Sequence, residues 1–199
     1  MCAIAESTAQ DALPIEIRAV ISDRGDAVGL ERARERGIPT ASLSLRHFPT
    51  RESFDAALAD VVASYSPGLV VLAGYMKILS PNFVRQFVDR LINIHPSLLP
   101  KYPGLQTHRR ALEAGDKRHG ASVHFVIEAL DSGPVIIQGR VLIAAGDTEE
   151  SLAARVQRAE HIIYPQAVEW FARGRLAMRD GTAWLDGKSL DTPIVREIS

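Results

Sequence analysis

Apolar residues along the first half of this chain gather in short segments of two alternating kinds. The segments typical of β-strands are residues 15–22, 41–45, 69–73 and 91–95. The segments predicted to be helices are residues 26–36, 50–64 and 80–87. The run at 69–73 is apolar throughout, as in strands that are buried on both faces of a sheet. Regular alternation of strands and helices predicts a doubly wound α/β fold around a mostly parallel sheet.

The second half of the chain continues with longer elements. These are a helix at 107–114, strands at 123–127 and 134–143, a helix at 147–173 and a hairpin at 182–190. Pro165 lies inside the long helix and should kink it. The hairpin should turn at Asp186-Gly187. We expect a single domain over residues 1–199, with residues 175–199 as a C-terminal hairpin extension.

Several helix boundaries carry residues that typically cap or end a helix. The expected N-caps are Asp26, Thr50, Ser80 and Asp147, and the expected terminating glycines are Gly37 and Gly115. Pro81 suits the first position of the helix that follows Ser80.

Size and charge limit the possible functions. A chain of 199 residues with 46% hydrophobic content can bury one full core, so a second large domain is not expected. Its 23 basic and 24 acidic side chains give a net charge of -1, which offers no overall attraction to nucleic acid or to an anionic membrane. Any anion-binding site must therefore be local.

Cysteine content and hydropathy indicate a cytoplasmic protein. The only cysteine is Cys2, which excludes an intramolecular disulfide and a cysteine-built zinc site. The longest strongly apolar run, residues 69–74, is far shorter than the roughly 20 residues that span a bilayer. The first residues lack the basic region of a secretory signal peptide.

The strongest candidate for catalysis is the pair Asn93 and His95 at the end of a predicted strand. Pro96 should end that strand, and residues two apart on a strand point to the same face. A carboxamide and an imidazole in one pocket can donate two hydrogen bonds to an oxyanion that develops during acyl transfer. The pair therefore predicts an acyl-transfer site.

Residues 93–100, NIHPSLLP, resemble the signature of the folate-dependent formyltransferase family. Residues 101–108, KYPGLQTH, are similar to the branch of that family that formylates glycinamide ribonucleotide for purine biosynthesis. Further similarity lies at residues 119–126, 130–136 and 183–187, so the resemblance covers nearly the whole chain.

The resemblance implies an activity and a catalytic set. The amino group of glycinamide ribonucleotide would attack the formyl carbon of 10-formyltetrahydrofolate, without a metal and without a covalent enzyme intermediate. Asn93 and His95 would stabilise the oxyanion, and Asp131 would lie beside His95, favour its charged form and accept the amine proton. In isolation, Asp131 in Asp-Ser-Gly-Pro would be interpreted as a turn residue. No nucleic acid or membrane partner is implied.

The resemblance also assigns binding residues. Those expected to bind the folate are Arg51, Met76, Lys77, Ile78, Leu79, Asn93, Ile127, Glu128, Ala129, Leu130 and Asp131. Those expected to bind glycinamide ribonucleotide are Ile94, Pro96, Gln157 and Glu160. Relatives often have Arg at the position of Lys77 and His at that of Gln106, so this chain departs from the family at both.

The N-terminal residues imply a missing element. Relatives open with a central strand and a Gly-x-Gly-Ser-Asn turn that holds a phosphate, whereas residues 1–5 look like the helix after that turn. We therefore expect the sequence to start about a dozen residues late, as from a misplaced start codon. Strands 15–22 and 69–73 should then flank an empty slot, expose their edges and leave the phosphate weakly held.

Three alternatives remain open at this point. A methionyl-tRNA formyltransferase would share the catalytic residues, but it resembles a longer chain with a basic C-terminal domain. A formyltetrahydrofolate deformylase would carry an additional N-terminal domain. A non-catalytic folate- or nucleotide-binding remnant would fit the missing phosphate loop. Of the other histidines, we expect His108 and His119 behind the active-site loop, and His124 as a candidate for the pocket wall.

Overall fold

The computed structural model describes residues 2–9 and 15–198. The helices are α1 (Cys2–Ala9), α2 (Val28–Glu35), α3 (Arg51–Ser64), α4 (Pro81–Gln86), α5 (Thr107–Glu113) and α6 (Glu149–Ala172). The strands are β1 (Val20–Ser22), β2 (Thr40–Ser42), β3 (Val70–Leu72), β4 (Leu91–His95), β5 (Arg118–Phe125), β6 (Val135–Leu142), β7 (Leu176–Arg179), β8 (Thr182–Leu185), β9 (Lys188–Ser189) and β10 (Ile194–Glu197). Met1 and Ser199, which belong to predicted segments, lie outside the described residues.

A five-stranded sheet in the order β10-β6-β5-β4-β3 forms the centre of the molecule. Its outer pairs, β3 with β4 and β10 with β6, are parallel, and β5 runs antiparallel to both its neighbours. Helix α6 packs against β5 and β6, and α1 packs on α6 with Ile4 and Ala5 buried. A second apolar cluster lies under α3 and α4. The predicted α/β class with a mostly parallel sheet is confirmed.

Strands β1 and β2 form a separate parallel pair rather than extending the main sheet. Among the described strands, β1 pairs only with β2, and β3 pairs only with β4. Strands β1 and β3 therefore do not pair with each other. Both strands are half-buried. Residues 69–72 do pack on both faces of the sheet, but they are half-buried rather than buried as predicted, and Ala73 is exposed. No other described strand covers the second edge of β3, which explains the difference.

Two of the four predicted N-caps are correct. Thr50 caps α3 in a reciprocal capping box with Ser53, and the Ser80 hydroxyl accepts the Phe83 N–H at the start of α4. Asp26 does not cap α2, because its carboxylate binds the Arg24 guanidinium and Ala27 occupies the N-cap position.

Asp147 likewise does not cap α6. Its carboxylate accepts the Ala144 N–H and binds Arg155, and Thr148 caps the helix together with Ser151. The predicted inward face of this helix is correct, since Leu152, Val156, Ala159 and Ile163 are buried. The helix continues through Pro165 to Ala172.

The C-terminal region contains more strands than predicted. The expected hairpin is present as β8 and β9, but β7 adds a third antiparallel strand to it. Strand β10 then pairs in parallel with β6 at the edge of the main sheet. Its exposed, partly charged sequence gave no alternating pattern, which explains why it was not predicted.

Candidate active site

Strand β4 places Asn93 and His95 side by side. The antiparallel register sets Asn93 opposite His124 on β5 and His95 opposite Ser122. Both positions point to the same face, because side chains alternate along a strand. After His95 the chain leaves the sheet and enters a proline-rich loop that leads to α5.

The Asn93 carboxamide is oriented by His124. Asn93 Nδ2 lies 3.3 Å from His124 Nε2, and His124 Nδ1 donates to the Phe125 carbonyl over 2.9 Å. Burial lowers the pKa of His124, so its imidazole is neutral and Nε2 can accept from the amide. The second amide N–H of Asn93 stays available to a ligand.

His95 is held at both ring nitrogens. Nε2 donates to the Tyr102 carbonyl over 2.9 Å, and Nδ1 lies 3.4 Å from Asp131 Oδ2. The side chains of His95 and Asp131 are 7% and 8% exposed, so little water screens their interaction. The Nε2 proton is held in the hydrogen bond to the Tyr102 carbonyl. Nδ1 is therefore the nitrogen that can exchange a proton with Asp131 or with a substrate.

Asp131 reaches this position from a tight turn between β5 and β6. Its Oδ2 accepts the Gly104 N–H over 2.9 Å, and its Oδ1 lies 3.8 Å from His124 Nε2. Asp131 has a φ of +48°, in the left-handed region. A Cβ at Gly133 would stand 1.9 Å from the Phe125 carbonyl oxygen, so only glycine fits the end of this turn.

His108 and His119 form a second histidine pair behind the loop. His108 Nδ1 lies 3.1 Å from His119 Nε2, and the His119 ring meets Tyr102 edge-on with centroids 6.2 Å apart. Burial lowers the pKa of His119 to about 4, and burial also lowers the pKa of His108. Both imidazoles are therefore neutral at pH 7, and one donates to the other.

The segment that follows β3 exposes large apolar side chains. Met76 and Ile78 are 75% and 64% exposed, whereas Leu79 is buried in the core. Arg51 supports this segment from behind: it donates to the Ile78 carbonyl over 2.6 Å and to Asp55 over 2.9 Å. Its guanidinium is therefore largely engaged by the protein.

Other predicted binding residues have different partners or exposure. Lys77 forms an ion pair with Asp23, just after β1, and Glu128 forms one with Arg85 of α4 at 2.6 Å. Leu130 is 51% exposed, and Ile127 and Ala129 belong to the same connection. Apolar surface thus lies on both the segment after β3 and the connection between β5 and β6.

The residues predicted for the ribonucleotide are less tightly grouped. Ile94 and Pro96 flank His95 and are half-buried. Glu160 of α6 is half-buried, which raises its pKa, and Gln157 is exposed. One turn beyond Glu160, the Tyr164 hydroxyl lies 2.7 Å from the Leu72 carbonyl oxygen, at the end of β3. Within the described residues, no hydrogen bond joins Gln157 or Glu160 to the Asn93, His95 and Asp131 cluster.

Several buried polar residues near the site were not predicted from the sequence. The Ser122 hydroxyl donates to the Ser97 carbonyl over 2.7 Å and accepts the Leu99 N–H over 3.0 Å. Gln138 Nε2 donates to the Leu99 carbonyl over 2.8 Å. The available signal was a polar residue inside each of two apolar strands, because a buried polar side chain needs a partner.

Neither a metal cluster nor a membrane span is found in the part of the chain that the structure describes. No group of three or more His, Cys, Asp or Glu side chains there is arranged to hold a metal ion. None of the helices in residues 2–9 and 15–198 is long and apolar enough to cross a bilayer.

Comparison with known proteins identifies the family. The family model described as formyl transferase matches residues 1–168. The chain belongs to the formyl transferase family. A phosphoribosylglycinamide formyltransferase of Escherichia coli is 57% identical over 174 residues, which are 87% of this chain and 82% of that protein.

Two further relatives agree with this membership of the formyl transferase family. A phosphoribosylglycinamide formyltransferase of Haemophilus influenzae is 47% identical over 178 residues, or 89% of this chain and 84% of that protein. The solved structure of the Coxiella burnetii phosphoribosylglycinamide formyltransferase matches with a TM-score of 0.92 and 48% identity, over 98% of this chain and 92% of that one.

Proposed function

We propose that this protein transfers the formyl group of 10-formyltetrahydrofolate to the amino group of glycinamide ribonucleotide in purine biosynthesis. The observation that carries the proposal is the convergence of Asn93, His95 and Asp131 in a chain of the formyl transferase family. The names of the relatives support the ribonucleotide as the acceptor.

Asn93 and His95 act on the oxygen of the formyl group. When the substrate amine attacks the formyl carbon, that oxygen gains negative charge in a tetrahedral intermediate. The free amide N–H of Asn93 and the Nδ1–H of a protonated His95 are the donors for this charge. Such donors stabilise the transition state more than the ground state, because the charge exists only there.

Asp131 and His95 move the protons. Asp131 takes the proton that the attacking amine must lose, directly or through one water. His95 gives its Nδ1 proton to the departing folate nitrogen as the carbon–nitrogen bond breaks. The short Asp131 to His95 separation, 3.4 Å, lets the proton pass back to His95, so both groups return to their starting forms.

The exposed apolar side chains of the segment after β3 and of the connection from β5 to β6 suit a flat heteroaromatic ligand. We propose that the folate lies between these two segments. The residues proposed for it are Arg51, Met76, Lys77, Ile78, Leu79, Asn93, Ile127, Glu128, Ala129, Leu130 and Asp131. The exposure of Met76, Ile78 and Leu130 supports this placement, because exposed apolar patches mark binding surfaces.

Ile94, Pro96, Gln157 and Glu160 are proposed for the ribonucleotide. We also propose that residues 1–199 act as one domain in the cytoplasm on these two small molecules, without a nucleic acid or membrane partner. Balanced charge supports this proposal, since no excess of basic side chains attracts a polyanion.

Formyl-transfer assays test the proposal. The chain is incubated with 10-formyltetrahydrofolate and glycinamide ribonucleotide, methionyl-tRNA or no acceptor, and an upstream-extended version is assayed in parallel. We expect a formylated product only when glycinamide ribonucleotide is the acceptor. The His95→Gln variant should form no such product. Formate release without an acceptor, as from a deformylase, or formylation of methionyl-tRNA would overturn it.

A further inference from the structure

One loop contacts both proposed proton-transfer residues. The Tyr102 carbonyl accepts the His95 Nε2–H over 2.9 Å, and two residues later the Gly104 N–H donates to Asp131 Oδ2 over 2.9 Å. These are backbone groups, so the loop conformation rather than any side chain sets both contacts. Residues 102–104 are called the clamp below.

The clamp determines which proton of His95 is mobile. An acceptor at Nε2 keeps one proton there, and Nδ1 then faces Asp131. The Gly104 N–H holds the Asp131 carboxylate so that the same oxygen, Oδ2, faces His95. If the clamp shifts, the separation and the orientation of the pair change together.

The clamp does not have an intrinsically favourable backbone. Tyr102 has a φ of +54° and Gly104 a φ of +77°. The left-handed region suits glycine, but it costs energy for a tyrosine. The surrounding structure must therefore hold Tyr102 in place.

The base of the loop is tied to the sheet. Ser122 and Gln138 hold the backbone of Ser97 and Leu99, and the Ser97 hydroxyl donates to the Lys101 carbonyl over 2.6 Å. These contacts stop at Lys101, one residue before the clamp.

Asp116, just after α5, holds the loop next to the clamp. Its two carboxylate oxygens each accept from Lys101 Nζ over 2.9 Å, and Oδ2 also accepts the Tyr102 hydroxyl over 2.9 Å. The Asp116 side chain is 18% exposed, and it binds neither His95 nor Asp131. On its other side, the Tyr102 ring packs under Arg110, whose Cζ lies 5.1 Å from the ring centroid.

We propose that Asp116 is a positioning residue for formyl transfer, acting through Lys101 and Tyr102 on the clamp that aligns His95 with Asp131. This inference rests on the proposed function. It differs from a general role in stability, because it connects one surface carboxylate to the alignment of one acid–base pair.

The test compares three variants with the wild-type chain. Asp116→Asn keeps the shape but removes the charge that binds Lys101. Tyr102→Phe removes only the hydroxyl that binds Asp116. Asp186→Asn is the matched control, because Asp186 accepts from Arg175 Nε and Nη2, each over 2.7 Å, in the C-terminal sheet, away from the clamp.

We expect Asp116→Asn to lower kcat about 10- to 100-fold, with the KM of each substrate changed less than about 3-fold, because small misplacements of reacting groups are costly. Tyr102→Phe loses one neutral hydrogen bond and should lower kcat roughly 2- to 10-fold. Asp186→Asn should match wild type.

Nitrogen-15 NMR of the His95 ring supplies a readout that does not depend on activity. The His95 Nε2–H should exchange slowly with water in the wild type, because it donates to the Tyr102 carbonyl, and faster in Asp116→Asn, where the clamp is looser. Wild-type kcat and wild-type Nε2–H exchange in a folded Asp116→Asn would overturn the inference. If neither the wild type nor any of the three variants transferred a formyl group, the result would count against the proposed function. The NMR comparison would still decide the role of Asp116.

Discussion

Three histidines around the site have different hydrogen-bond partners and different neighbouring charges. His95 has a carboxylate 3.4 Å from Nδ1 and a carbonyl at Nε2. His124 donates to a carbonyl and accepts from an amide, an arrangement that only a neutral ring can make. His119 is buried against another histidine, and burial lowers its pKa more than the nearby Asp116 carboxylate raises it. Asp131 lies closer to the ring of His95 than to that of His124, at 3.4 Å against 3.8 Å.

Replacing the carboxylate beside His95 should mainly affect turnover. We expect Asp131→Asn to lower kcat by roughly 10²–10⁴, because a general base is lost, while the folate KM changes little. Steady-state kinetics with each substrate varied in turn measures both constants. A near-normal kcat with a raised folate KM would show instead that Asp131 serves binding.

The connection between β5 and β6 brings Asp131 to β4. Strand β5 pairs with β4 and β6, and its register with β6 shifts between Val123 and His124. The Phe125 N–H donates to the Pro134 carbonyl over 3.0 Å, which closes the connection directly below the turn. The position of Asp131 therefore depends on backbone packing at Phe125 and Gly133.

A methyl group at Gly133 should displace this connection. We expect Gly133→Ala to reduce formyl transfer at least 10-fold, because the Phe125 carbonyl oxygen occupies the Cβ position at 1.9 Å and Asp131 must move away from His95. Formyl-transfer kinetics with a thermal melt measures the effect.

Gly29→Ala is the matched control for that variant. Gly29 lies in α2 with no atom within 4 Å of its Cβ position, so alanine should keep activity and raise stability by up to about 1 kcal/mol. Full activity in Gly133→Ala would show that the turn tolerates displacement.

The β1–β2 pair and the five-stranded sheet share an apolar core although no hydrogen-bonded strands join them in the described residues. Ile21 of β1 and Val70 of β3 pack against the apolar cluster under α3 and α4, whereas Val71 faces the cluster around α6. Across the gap, Lys77 forms an ion pair with Asp23. Packing against these clusters therefore holds β1 and β3 in place, although no described strand pairs with both of them, and interiors resist continuous deformation.

Hydrogen exchange tests the edges of β1 and β3 on which no other described strand pairs. The Val20 N–H donates to the Pro39 carbonyl and the Val70 N–H to the Arg90 carbonyl, so the alternate amides, Ile21 and Val71, point to those edges. We expect these two amides to exchange many-fold faster than Val123 of β5. Residue-resolved exchange by NMR tests this expectation. Equal protection would show that the edges of β1 and β3 have partners in solution.

Acid should destabilise the whole molecule through His119. Its pKa is about 4 when folded, against about 6.5 for an ordinary histidine, so between these pH values only the unfolded chain binds the proton. The contribution of neutral His119 to the free energy of unfolding is fully present above about pH 6.5 and is lost as the pH falls to about 4. The loss is about 1–3 kcal/mol, after allowing for solvent screening.

Denaturant unfolding at pH 7 and pH 4.5 measures this loss, with His119→Gln as the comparison. The variant should lose less stability on acidification than the wild type. Some loss should remain, because burial also lowers the pKa of His108 and of His124. The same acid dependence in the wild type and the variant would contradict the assignment to His119.

Local sequence was sufficient where an interaction spans a few residues. The caps at Thr50 and Ser80 were predictable because each hydroxyl meets a backbone N–H three residues later. Asn93 and His95 share a face for the same local reason, the two-residue period of a strand. Asp26 and Asp147 were assigned wrongly as caps because arginines, Arg24 and Arg155, compete for their carboxylates.

Tertiary structure decided which distant groups surround the pair on β4. The register of β4 against β5 sets His124 opposite Asn93, and the turn at Gly133 brings Asp131 to His95. Asp116 reaches the clamp only because the loop folds back on the end of α5. The sequence alone determined the α/β alternation and the Asn93 and His95 pair, since both follow from local periodicity. The hydrogen-bond partners and the orientation of that pair depend on contacts between residues far apart in the chain. These contacts form only when the strands of the sheet pair in their native register.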